Sequence, residues 1–97
     1  MRIRRSDVFF NWLKKLKDRT GKYLIEQRIN RLEKGNLGDV ESIGEGCSEM
    51  KISYGPGYRV YFTNIGTAII ILLCGGDKST QHQDIERAKK MAKLYKE

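Results

Sequence analysis

Apolar residues in this chain change their spacing near residue 47, and no other feature restricts the possible folds as strongly. Up to residue 34 they recur at helical intervals: Phe9, Trp12, Leu13 and Leu16, then Tyr23, Ile25, Ile29 and Leu32. From Met50 onward the period is two. Met50, Ile52 and Tyr54 alternate with Glu49, Lys51 and Ser53, and Tyr58, Val60 and Phe62 alternate with Arg59, Tyr61 and Thr63. A helical half followed by a stranded half predicts an α+β domain.

The punctuation agrees with this division. Ser6 is a natural N-cap for a first helix that ends near Asp18, and "DRTG" separates it from a second, capped by Thr20 and stopped at Gly35. Residues 35 to 46 carry several glycines and only acidic charges, and they read as a connecting loop. "GPG" at 55 to 57 joins the two alternating strands as a tight hairpin, because proline presets φ and glycine accepts φ > 0. "NIG" at 64 to 66 makes a second hairpin. The following Ala68–Cys74 run is apolar throughout, as befits a central strand covered on both faces. "MRIRR" at the start supplies a short flanking strand. Thr80 with Gln83 fits a capping box ahead of a last helix, in which Ile85, Ala88, Ala92 and Tyr95 share a face. The predicted order is βααβββα, one domain over residues 1–97.

Composition narrows the class. At 39% hydrophobic and 32% charged, the chain has enough apolar residues for a core. Its longest apolar run is far below the roughly 20 residues that span a bilayer. No signal peptide is read at the start, and a cytoplasmic location is expected. Cys47 and Cys74 belong to no CxxC or Cys/His cluster, so free thiols are expected. With one histidine and no Walker or nucleophile-elbow sequence, neither a metal nor a cofactor is implied.

Charge points to a partner. The net charge is +7, with eleven Lys/Arg against four Asp/Glu in residues 1–35, none against four in 36–50 and eight against four in 51–97. Such a field suits nucleic acid and suits an acidic protein partner equally well. If the hairpin pairs symmetrically about Pro56, Lys51 faces Tyr61 and lies diagonally from Arg59, so two cations share one sheet face with Tyr61. That pair fits a solvated face, an anion site, or ion pairing with Glu49. Lys78, after two glycines at the end of the apolar strand, is positioned to join it, and His82 follows early in the last helix.

Three segments carry a family resemblance: "FxxWLKKLKD" at 9–18, "GNLGDVESIGEGCSEMKISYGPGYRVYF" at 35–62 and "LLCGGDKSTQHQDIERAKKMA" at 72–92. They resemble the addiction-module killer proteins, HigB-like members of the RelE/ParE toxin superfamily. The resemblance implies a RelE-like fold, with a small, mostly antiparallel sheet, an N-terminal helical hairpin and a C-terminal helix. It implies a type II toxin whose partner is an antitoxin, of helix-turn-helix type, encoded beside it. RelE-like relatives cleave messenger RNA on the ribosome, without metal, by attack of the 2′-hydroxyl on the adjacent phosphate. Carried onto this sequence, Arg59 would hold the scissile phosphate, Lys51 would act as electrostatic stabiliser or base, and Lys78 would serve the leaving oxygen. His82 is a weaker counterpart of a late catalytic histidine, and Tyr61, Ser79 and Gln81 would contact RNA. The sequence departs from the RelE pattern in having lysine at 78, where arginine is frequent, and Asp84 near the place of a catalytic tyrosine. The alternatives are a ParE-like inhibitor of DNA gyrase and a decayed toxin that only binds its antitoxin.

Overall fold

The computed structural model describes residues 1–96. Strand β1 (Arg2–Arg5) leads into helices α1 (Asp7–Lys15) and α2 (Arg19–Glu33), then β2 (Val40–Gly44), β3 (Cys47–Ile52), β4 (Tyr58–Ile65), β5 (Ile69–Gly76), a 3-10 turn at Lys78–Thr80 and α3 (Gln81–Lys96). The sheet has five strands in the order β1-β5-β4-β3-β2, antiparallel except for the parallel β1–β5 pair. The fold is α+β, as the change of period predicts.

One strand goes beyond the expectation. Val40–Gly44 pairs with β3, in the segment read as a loop. A two-residue turn joins them, Glu45 at φ 53° and Gly46 at φ 76°, which matches the doubly left-handed turn preferred in tight hairpins. The strand escapes the alternation test because it is an edge, with only Val40 and Ile43 partly covered.

The sheet is covered on both faces. On one, α1 and α2 bury Phe9, Leu13, Ile25, Ile29 and Leu32 against Met50, Val60, Phe62, Ile70 and Leu72. On the other, Ala88 and Ala92 of α3 cover Cys47, Tyr61, Ile71 and Leu73. Strand β5 is apolar at successive positions because it lies inside both layers. Both cysteines are buried free thiols. Among the described residues, no helix is long and apolar enough to cross a membrane.

Ser6 caps α1 as expected: its Oγ accepts from Phe9 N at 3.0 Å. The helix stops earlier than its pattern suggests, at Lys15, and the N-cap of α2 is Asp18 rather than Thr20. Asp18 wins because its carboxylate takes Gly21 N at 2.9 Å and the Tyr58 hydroxyl at 2.7 Å together. At the last helix the capping box is formed by Asp77 and Thr80 around the 3-10 turn, not by Thr80 and Gln83. The Thr80 hydroxyl donates to Asp84 Oδ2 at 2.6 Å.

Two tyrosines exchange the places predicted for them. Tyr54 is 38% exposed, because β3 ends at Ile52 and the alternation stops there. Tyr61 is fully buried, because α3 covers the sheet face that was expected to stay open.

Candidate active site

Lys51, Arg59 and Lys78 stand at the end of the sheet where the β3–β4 loop returns. Tyr54 N donates to Ile52 O and Gly57 N to Tyr54 O, and the loop turns through Gly55 (φ 56°) and Gly57 (φ 78°), a region that L side chains avoid. The second half of the site docks onto this loop: Lys78 N donates to Pro56 O at 3.3 Å. A β-carbon at Gly57 would lie 3.5 Å from both Arg59 Nη1 and Lys78 Cβ, so these two residues flank the same glycine.

The hairpin register differs from symmetry about Pro56. Lys51 stands directly opposite Arg59, and Glu49 directly opposite Tyr61. The five-residue connection, 53–57, is centred on Gly55 rather than Pro56, which moves each partner by two residues and keeps Lys51 and Arg59 on one face. Lys51 N is bonded outward to Asp39 O, so Lys51 and Arg59 form the closer, non-hydrogen-bonded type of cross-strand pair. On its other side Arg59 pairs with Gly76. One row across the sheet thus reads Lys51, Arg59, Gly76. The next row on the same face reads Glu49, Tyr61, Cys74.

Lys51 and Arg59 each have a carboxylate partner. Lys51 Nζ lies 3.1 Å from Glu41 Oε1 in a largely solvated pair. Arg59 Nε lies 3.4 Å from Glu49 Oε2, with the two side chains only 11% and 2% exposed. The same Oε2 accepts from the Tyr61 hydroxyl at 3.0 Å and from Gln81 Nε2 at 2.8 Å. Arg59 Nη1 donates to Gly57 O at 3.1 Å. Burial, with the Glu49 carboxylate alongside, pushes the Tyr61 phenol well above its usual range, so it stays a proton donor.

The remaining predicted residues divide. Ser79 is exposed, but its backbone and hydroxyl both turn inward to Asp77 Oδ1, at 2.8 and 2.5 Å. Gln81 is partly covered and engaged by Glu49. His82 is exposed on the first turn of α3. Tyr61 lies beneath the site, out of reach of a ligand, which corrects its expected role as an RNA contact. Glu49 is the residue that sequence reasoning undervalued. An acid in a strand reads as solvent-facing unless the cover of the second face is known, and the small-residue face Ala88–Ala92 was the available sign of it.

No family model matches the chain. An uncharacterized protein of Haemophilus influenzae (strain KW20 Rd) is 48% identical over 92 residues, covering 95% of this chain and 93% of that protein. This chain belongs to that protein's family. Among solved structures, a free-state double mutant of the Escherichia coli toxin RelE superposes with a TM-score of 0.67 over 96% of this chain and 95% of that one, at 15% identity. The fold is therefore the RelE fold.

Proposed function

We propose that this protein is the toxin of a type II toxin–antitoxin module, HigB-like in its sequence segments, and that it acts in the cytoplasm as a ribosome-dependent endoribonuclease on messenger RNA. Its partner is an antitoxin of helix-turn-helix type. The observation that carries the reading is the meeting of Lys51, Arg59 and Lys78 at one end of a RelE-fold sheet.

Chemically, such a site suits transesterification. The 2′-oxygen forms a bond to phosphorus as the bond from phosphorus to the 5′-oxygen breaks. The proton leaves the 2′-hydroxyl for a base, and a proton reaches the departing 5′-oxygen. Arg59 holds the non-bridging oxygens while charge builds on them, Lys51 adds positive potential across the strand pair, and Lys78 faces the leaving oxygen. Aimed cations are the main requirement in such displacements.

Brief induction followed by primer extension on abundant messages tests this. New 5′ ends should appear within translated regions. Arg59→Ala should slow their formation about 10²- to 10³-fold, or roughly 3 to 4 kcal/mol, by analogy with a lost oxyanion donor. Undiminished cleavage by that variant would reject the assignment. A second reading, a face that binds without cleaving, is favoured by the carboxylate already paired with each of Lys51 and Arg59. It predicts intact messages; SOS induction would then point to DNA gyrase, and unimpaired growth to a decayed toxin.

A further inference from the structure

Glu49 is a buried carboxylate that the proposed chemistry does not use. Its side chain is 2% exposed, it stands on β3, one strand in from the edge of the sheet, and three side chains from β4 and α3 close on one of its oxygens. Burying an ion pair gains little stability over well-packed apolar residues, so a reason for it is best sought in geometry.

Arg59 supplies that reason. A guanidinium has five N–H donors in a rigid plane. Here Nε is turned to Glu49 and one Nη1 hydrogen to Gly57 O. Nε is the single buried side-chain nitrogen or oxygen, among the described residues, that has no aligned hydrogen-bond partner. Nη2 makes no hydrogen bond within the protein and reaches solvent. The guanidinium is thus held at two points, by the Glu49 charge beside Nε and by the Gly57 carbonyl on Nη1, and Nη2 is left to face solvent.

We propose that Glu49 is a positioning residue for Arg59: its carboxylate, fixed by Tyr61 and Gln81, turns the guanidinium so that the Nη1–Nη2 fork meets an RNA phosphate. This rests on the nuclease reading above. Glu49 touches no substrate, since its side chain is sealed beneath Arg59 and α3. Because Gln81 opens α3, the same carboxylate also ties the arginine to the turn that carries Lys78.

Glu49→Gln keeps the side-chain volume and an acceptor for Tyr61 and Gln81 while removing the charge. In single-turnover cleavage of a translated message, it should slow the step at saturating ribosomes about 10- to 100-fold with half-saturation unchanged, as expected for a misaimed group. The double variant Glu49→Gln/Arg59→Ala should be no slower than Arg59→Ala alone. A further loss in the double variant would mean that Glu49 acts directly, and full activity in Glu49→Gln would mean that it does not act; either overturns the proposal. A second measurement needs neither cleavage nor a folded variant: the Arg59 Nε–H resonance of the wild-type protein should exchange with water more slowly than those of exposed arginines. Exchange at the rate of the exposed arginines overturns the proposal. Failure of the wild-type protein to cleave, with a slow Nε–H, would reject the nuclease and leave the grip of Glu49 on Arg59 standing.

Discussion

Gly75 and Gly76 show how much one missing β-carbon can decide. They end β5 on opposite faces. A β-carbon at Gly75 would enter the six-membered ring of Trp12 on α1, and one at Gly76 would collide with the Asp84 carboxylate on α3. Side chains of both helices lie against the strand backbone here, beside the row that holds Arg59. We predict that Gly75→Ala costs about 1 to 3 kcal/mol, the usual range for overpacking, measured by urea unfolding with Trp12 fluorescence as the probe. The dipeptide is conspicuous in the sequence, where it reads as a strand ending in a turn. Its two-sided packing is invisible there, because the residues it makes room for lie 63 positions upstream and 8 downstream. Tyr61 teaches the same lesson. Its alternation with Val60 and Phe62 correctly places it on the other face from them, but alternation does not say whether that face is wet.

Among the elements, α1 depends on a single side chain for its start and its seat. Ser6 Oγ accepts from Phe9 N and donates to Leu73 O at 2.6 Å, joining the helix cap to β5 while 6% exposed. Ser6→Ala removes the cap and strands a buried carbonyl. The two effects together should cost about 1 to 3 kcal/mol, seen as a lower urea midpoint with an unchanged slope. The cap is legible from its spacing ahead of Phe9, whereas the bond to β5 is not. Asp18 prevailed over Thr20 for the same kind of reason. Both are good caps locally, and the Tyr58 hydroxyl on β4 selects the one it can reach.

For the whole molecule, burial of weak acids sets a response to pH. The Cys74 thiol is pushed up from 9.0 to about 12 by burial and then by Asp84, and the Tyr58 phenol from 10.0 to about 12 by burial and by its bond to Asp18. Tyr61 is raised further in the same direction. A folded pKa above the unfolded one means that the native state binds the proton more tightly. Stability is then complete below the unfolded value and is lost as pH rises through the folded one. The urea midpoint should therefore decline from about pH 9 upward, and Tyr58→Phe should flatten the decline above about pH 10. At the acid end Asp18 runs the other way. Its pKa is lowered by Gly21 N and Tyr58, so its contribution holds above the ordinary 3.8 and fades as pH falls below it.

What the sequence alone determined was local and periodic: where the chain is helical, where it is extended apart from the edge strand β2, which turns need glycine, and that one strand is buried on both sides. Each of these follows from interactions within a few residues, or from the two repeats of 3.6 and 2 that carry a buried face. It also singled out Lys51, Arg59 and Lys78. The tertiary structure alone decided how they meet. The register that sets Lys51 opposite Arg59 comes from a loop centred on Gly55 rather than on Pro56. The burial of Glu49 and Tyr61 comes from α3 closing over the second face, twenty or more residues beyond either of them along the chain. Burial and register are properties of what packs across from a residue, and a sequence does not place a strand's partner.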